Sequence, residues 1–67
     1  MTTTLTTITG REIKVTPNHS KKTFTLRSEG IKYRTIPMSS EEFESALYWN
    51  GNDWNDFFRT DEYYKVK

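Results

Sequence analysis

The spacing of apolar residues changes a little past the middle of the chain. In the first half, residues 1–37, apolar and polar positions alternate, which is typical of half-buried β-strands. Ile13 and Val15 fall on the same face of their strand, and Phe24 and Leu26 fall on the same face of theirs. Threonine occupies six of the first nine positions, and threonine favours a pleated sheet over a helix. This half is therefore predicted to form strands joined as hairpins.

A tight turn is predicted at residues 9–12. Gly10 can adopt the positive φ that a two-residue type II′ turn requires. Such a turn would place Ile8 opposite Ile13. The polar residues 17–20 are predicted to form the next loop.

The second hairpin turns at residues 28–30, and the matching of side chains predicts its loop length. An even loop of two or four residues puts Leu26 and Tyr33 on the same side of the sheet. A three-residue loop would instead pair Arg27 with Ile31 and set a charge against an apolar residue. We expect the even loop.

After Pro37 the apolar spacing becomes helical. Ser39 and Glu42 have the spacing of a capping box, in which the serine hydroxyl accepts a hydrogen bond from the residue-42 N–H and the glutamate returns it. We expect Asn50 and Gly51 to end this helix. Met38 and Phe43 stand at the positions of a hydrophobic staple. Phe43, Ala46 and Leu47 have the spacing of an apolar helical stripe.

A second short helix is predicted to follow, capped by Asn52 or Asp53. Its apolar stripe would be Trp54, Phe57 and Phe58. The last five residues alternate like a strand, and we expect Tyr64 and Val66 to face the core and Tyr63 to face outward.

Together these elements predict one small α+β domain over residues 1–67. An antiparallel sheet of four to five strands, made of two hairpins plus an optional C-terminal strand, packs against one or two short helices. Residues 1–37 form the basic β-hairpin region, residues 38–60 the acidic aromatic helices, and residues 61–67 the optional strand. A chain of 67 residues is long enough for one domain only.

Composition predicts that the core is aromatic. The chain has ten Phe, Tyr and Trp residues but only three Leu, four Ile, two Val and one Ala. Each aromatic side chain can bury about 150–250 Å². A domain with so few aliphatic residues needs that area for its stability.

No catalytic, metal-binding or cofactor-binding motif is found, so we expect a protein that is not an enzyme. Cysteine is absent, and the single histidine, His19, lies in a polar turn. The acidic residues near Glu42 and Asp53 lie at predicted helix N-termini. Negative charge stabilises a helix there, so these residues do not need a catalytic role to explain them. An apolar leader or membrane-spanning run is also lacking, which predicts an intracellular, cytoplasmic protein without a membrane partner.

Charge divides the chain into two candidate surfaces. Residues 1–36 carry seven basic and two acidic residues, net +5, whereas residues 37–67 carry three basic and seven acidic residues, net −4. Such a division orients a protein toward charged partners.

The first candidate surface is an acidic aromatic face. Tyrosine and tryptophan dominate the binding energy of many protein interfaces, and acidic neighbours would favour a basic partner protein. The predicted partner-binding residues are Tyr48, Trp49, Asp53 and Tyr63.

The second candidate surface is the basic outer face of the sheet. Basic side chains between threonines can contact phosphates, which would suit a nucleic acid or an anionic ligand such as a nucleotide. The predicted residues are Lys14, Arg27, Lys32 and Arg34. Both sheet aromatics considered for base stacking, Phe24 and Tyr33, are expected to face the core instead.

Short, cysteine-free chains of mixed charge resemble in general the accessory and inhibitor proteins of phages and mobile elements, although no particular family is indicated. That resemblance implies a non-enzymatic module that binds and blocks a protein. We therefore rank protein binding through the acidic aromatic face first and nucleic-acid or anion binding second. Free strand edges at residues 2–8 or 63–67 would also allow a homodimer by sheet extension.

Overall fold

Five antiparallel strands form one sheet, and two short helices cover one of its faces. In the computed structural model, which describes residues 1–66, the strands follow each other in the order β1-β2-β3-β4-β5. The predicted α+β fold is thus confirmed, including the fifth strand; Lys67, at the end of the predicted strand, lies outside the described residues. The elements are β1 (Thr3–Thr6), β2 (Glu12–Asn18), β3 (Thr23–Ser28), β4 (Ile31–Thr35), α1 (Ser40–Ala46), α2 (Gly51–Phe57) and β5 (Tyr63–Lys65).

The β3–β4 connection has the predicted even length. Ser28 pairs with Ile31, so the loop consists of Glu29 and Gly30 alone. Both residues have positive φ, 55° and 77°, as a type I′ hairpin turn requires. The matching of side chains across the two strands therefore predicts this loop correctly.

The β1–β2 register differs from the prediction. Leu5, not Ile8, lies opposite Ile13, and Ile8 is 89% exposed. The Thr7 N–H donates to the Arg11 carbonyl at 2.8 Å, which leaves a three-residue loop with Gly10 at φ 88°. A glycine in the left-handed region suits this longer loop as well as it suits the two-residue turn, so the glycine alone does not determine the register.

The core lies between the inner face of the sheet and the two helices. Its centre is Phe24, whose ring stacks on Phe43 of α1 at 4.8 Å and meets Trp54 of α2 edge-on at 4.9 Å. The predicted aromatic character of the core is confirmed. The buried apolar residues are Ile13, Val15, Phe24, Leu26, Phe43, Ala46, Trp54 and Phe57.

The start of α1 agrees with the prediction in part. The Ser39 hydroxyl accepts from the Glu42 N–H at 3.2 Å. The glutamate does not return the bond to the backbone; its Oε1 lies 3.5 Å from the serine hydroxyl instead. Met38 is half-buried against the core, as a hydrophobic staple would be.

The predicted end of α1 and the predicted cap of α2 are wrong. The first helix already ends at Ala46, and Asn50 caps the second: its Oδ1 accepts from the Asp53 N–H at 2.9 Å. The Asp53 carboxylate accepts from the Asn50 N–H at 3.0 Å. This reciprocal pair is a complete capping box, so Asn50 and Gly51 begin a helix rather than end one.

The side chains of β5 face the opposite way from the prediction. Tyr63 packs inward and its hydroxyl donates to the Phe58 carbonyl at 2.8 Å, whereas Tyr64 is 49% exposed. Tyr63 lies opposite Thr35 of β4, which is 1% exposed. Because residues directly opposite each other share a face, pairing with the inward Thr35 directs Tyr63 into the core.

Gly51 lies against the backbone of β1, and we predict that its replacement destabilises the fold. A Cβ at this position would stand 2.5 Å from the Thr6 carbonyl oxygen, so the helix or the strand must shift. We expect Gly51→Ala to lower the free energy of unfolding by about 2 kcal/mol, measured by urea denaturation.

Gly10→Asn is the matched control for this prediction. Gly10 has nothing within 4 Å of its built Cβ, and asparagine tolerates positive φ. The control should therefore lose less than about 1 kcal/mol. Equal losses in the two variants would contradict the steric explanation.

Candidate functional site

The outer face of the sheet, opposite the helices, carries a row of three cations. The register pairs Lys14 with Arg27 and Arg27 with Lys32. Neighbouring strands are about 4.8 Å apart, so the three basic side chains leave the sheet side by side across its three central strands. We call this set the cation row.

Arg34 extends the basic surface along β4. It lies two residues beyond Lys32, on the same face and about 6.7 Å further along the strand. Its neighbours across the sheet are Thr25 and Tyr64. All four residues predicted for the basic face are thus brought together, with Lys14 and Arg27 exposed and Lys32 and Arg34 half-buried.

These cations have no acidic partner within residues 1–66. The ion pair found in that part of the chain joins Arg11 to Glu29 at 3.7 Å. Glu12, two residues before Lys14 on the same strand, lies at the margin of the outer face without approaching a cation within 4 Å. Like charges directly opposite each other in a sheet are destabilising, and here two such pairs are adjacent.

One depression at the end of the cation row includes Glu12 and Glu29 beside Lys14 and Arg27. Two other shallow depressions on this face contain no carboxylate of residues 1–66. One, of about 450 Å³, is lined by Thr2, Lys14, Thr16, Thr25, Arg27 and Lys32. The other, of about 430 Å³, is lined by Asn18, Lys21, Thr23, Arg34, Thr35, Pro37 and Tyr64. Ammonium, guanidinium and hydroxyl groups are the side-chain donors that contact phosphate oxygens, and both depressions supply them.

Tyr64 is the functional candidate that the sequence analysis missed. It is exposed beside Arg34 on the basic face, so this face does carry an aromatic ring. The adjacent tyrosines 63 and 64 satisfy an alternating pattern in either phase. The position of β5 against β4 is needed to distinguish them, and the pairing of Tyr63 with a buried threonine decides it.

Arg11 has a structural role that its charge did not indicate. Its Nε donates to the Ser28 hydroxyl at 2.7 Å, and one terminal nitrogen reaches the Asn55 side-chain oxygen at 3.3 Å. The guanidinium also lies 4.7 Å from the centre of the Phe58 ring. These contacts join the β1–β2 connection to β3 and to α2.

The structure does not assemble the acidic aromatic face as predicted. Tyr48 is 88% exposed, but the Trp49 ring packs on Trp54 at 4.7 Å. The prediction that Tyr63 faces outward is wrong, because its ring packs against those of Tyr33, Phe57 and Phe58. Asp53 is exposed, with its carboxylate engaged in the α2 cap. Of the three aromatic residues predicted to bind a partner, Tyr48 alone is largely exposed.

Metal binding, membrane spanning and the single histidine are the other features that bear on function. Over residues 1–66 the His, Cys, Asp and Glu side chains form no group of three or more that could hold a metal ion. Neither of the two helices is long and apolar enough to span a membrane. His19 lies with its ring 5.2 Å from that of Phe43, at the edge of the core.

No family model matches the chain, and no curated protein or solved structure is significantly similar to it. Its function therefore has to be inferred from the physical properties of these surfaces.

The different packing of Tyr48 and Trp49 yields a stability prediction. Tyr48→Ala should change the free energy of unfolding by less than about 0.5 kcal/mol, because the ring is almost fully solvated. Trp49→Ala should lower it by about 3 kcal/mol, because the ring packs on Trp54 and Phe57. Urea denaturation of both variants checks this, and equal effects would show that the two rings are not packed differently.

Proposed function

We propose that this protein binds a nucleic acid through the outer face of its sheet. The observation that carries the proposal is the cation row of Lys14, Arg27 and Lys32, with Arg34 beside it and no carboxylate of residues 1–66 within 4 Å. The sheet holds these like charges directly opposite each other, at a cost in stability. A chain of phosphates would convert that repulsion into attraction.

The chemistry around the cations suits phosphate oxygens. Lysine and arginine that neutralise phosphates release counterions, and this release dominates affinity for nucleic acids. The threonine hydroxyls between the cations add donors that position the backbone without reading its sequence. The proposal is therefore for binding that depends on backbone charge more than on base identity.

The distribution of charge between the two layers favours the same orientation. The strands belong mostly to the part of the chain with net charge +5, and the helices to the part with net charge −4. Because the helices cover the inner face, the acidic side lies away from the cation row. A polyanion is therefore attracted to the sheet side and repelled from the helical side.

Salt dependence tests this proposal. Four phosphate contacts predict that log K for a single-stranded oligonucleotide falls with log salt with a slope of about −3, at about −0.7 for each contact. Arg27→Gln should reduce the magnitude of the slope by about 0.7, and Arg27→Gln with Arg34→Gln by about 1.4. Fluorescence anisotropy with a labelled oligonucleotide over a range of salt concentrations measures both quantities.

Arg59→Gln is the matched control, because it removes one positive charge from an exposed position after α2. It should leave the slope unchanged. Arg27→Gln should not unfold the domain, because it relieves repulsion with Lys14 and Lys32. Absence of binding at low salt, or equal slopes for Arg27→Gln and Arg59→Gln, would refute the proposal.

A second candidate function, non-enzymatic binding or inhibition of a protein, is favoured by one specific observation. Tyr48 is 88% exposed and the adjacent Leu47 is 38% exposed, next to the acidic residues of α1. Exposed tyrosines beside apolar side chains are common anchors of protein interfaces. A basic partner protein would match the charge of this side.

Capture from nuclease-treated host lysate tests the second function. We expect Tyr48→Ala to weaken capture of a specific partner at least about fivefold, which corresponds to more than about 1 kcal/mol. Ile8→Ala, at an apolar residue that is equally exposed, should leave capture unchanged. If both variants capture the same proteins equally well, Tyr48 does not anchor an interface.

A further inference from the structure

One aromatic ring lies within the basic face, at the far side of the sheet from β1. Tyr64 of β5 is paired directly with Arg34 of β4 and lines the depression of about 430 Å³. About half of the side chain is exposed. No hydrogen bond of the Tyr64 hydroxyl is found among residues 1–66, in contrast to Tyr63, whose hydroxyl is bonded to the Phe58 carbonyl.

Building on the proposed function, we propose that the nucleic acid is single-stranded and that Tyr64 stacks on one of its bases. Aromatic rings beside cationic grooves bind single strands in this way, because every base offers a flat π-face while the groove follows the phosphates. Here Arg34 provides the phosphate contact directly beside the ring. The cation row provides the contacts that follow toward β2.

The shape of the basic face disfavours a duplex. Proteins usually read a duplex by inserting a helix or a two-stranded ribbon into the major groove. Both helices here lie on the opposite face of the sheet, and the cations project from its central strands. A duplex also keeps its base faces stacked inside, where Tyr64 cannot reach them. A single strand leaves these faces free.

The second depression has the composition of a base pocket. Besides Tyr64 and Arg34, its lining includes the polar residues Asn18, Lys21 and Thr23. These groups can hydrogen-bond the edge of a base whose face rests on the tyrosine ring. Asn18 already accepts from the Lys21 N–H through its Oδ1, which leaves its amide NH₂ as the donor.

Two substitutions combined with two probes test whether Tyr64 stacks on a base. The probes are an oligothymidylate of about 12 nucleotides and an oligonucleotide of the same length that has the sugar–phosphate backbone but no bases; about 12 nucleotides is within the usual site size. We expect Tyr64→Leu to weaken binding of oligothymidylate at least about fivefold. It should change binding of the abasic strand by less than about twofold, and the salt slope should stay the same. Tyr64→Phe should bind like the unaltered protein.

Three controls complete the design. Tyr48→Leu removes an exposed tyrosine from the helical side and should leave binding of both probes unchanged. Oligouridylate of equal length should show the same Tyr64 dependence as oligothymidylate. A duplex with the same number of phosphates per strand should bind more weakly than the single strand and should be insensitive to Tyr64→Leu.

The outcomes separate this inference from the proposed function. If Tyr64→Leu weakens both probes equally, or neither, then Tyr64 does not stack on bases. If the duplex binds more tightly than oligothymidylate, the ligand is not a single strand. In either case a salt slope that depends on Arg27 would still support binding of a nucleic acid. If no probe binds at low salt, both proposals fail.

Discussion

The contact of Phe24 with both helices is the interaction on which the rest of this fold depends. Each helix is seven residues long, and isolated helices shorter than about 12–15 residues are marginal in water. Phe24, in the central strand, stacks on Phe43 of α1 and meets the edge of Trp54 of α2. Without this aromatic contact both helices would lose their packing against the central strand, because the chain has few aliphatic residues to replace it.

Because both helices pack on the inner face of the sheet, the outer face is the one that remains exposed. Both helices lie on the same side of the sheet, so the outer face is left to solvent with its cation row and Tyr64. The layered arrangement also separates the charges of the chain, with the basic strands on one side and the acidic helices on the other. A sheet selected for stability alone would alternate opposite charges across its strands. Within residues 1–66 the row of cations has no carboxylate within 4 Å that would offset its repulsion.

The connections show where local pattern is sufficient and where it is not. The Glu29–Gly30 loop and the Ser39 cap depend on residues within a few positions of each other, and both agree with the sequence in their main features. The β1–β2 register differs from the prediction, because Gly10 suits both a two-residue and a three-residue loop. The hydrogen bond between Thr7 and Arg11 decides between these two lengths. The cap at Asn50 is also a local pattern, but an asparagine followed by a glycine suits the end of a helix as well, so the predicted cap is Asn52 or Asp53 instead.

The sequence by itself determined the α+β composition, the aromatic core and the common face of Lys14, Arg27, Lys32 and Arg34. These features follow from alternation within strands and from a loop whose length the side chains specify. Tertiary structure alone decided which tyrosine of β5 faces inward and where the Trp49 ring packs. The physical reason is that β5 joins β4 from almost 30 residues away, and the buried Thr35 opposite Tyr63 sets its phase. The basic face thereby gains the exposed ring of Tyr64, whereas Tyr63 and Trp49 of the predicted acidic aromatic face are half-buried against the core.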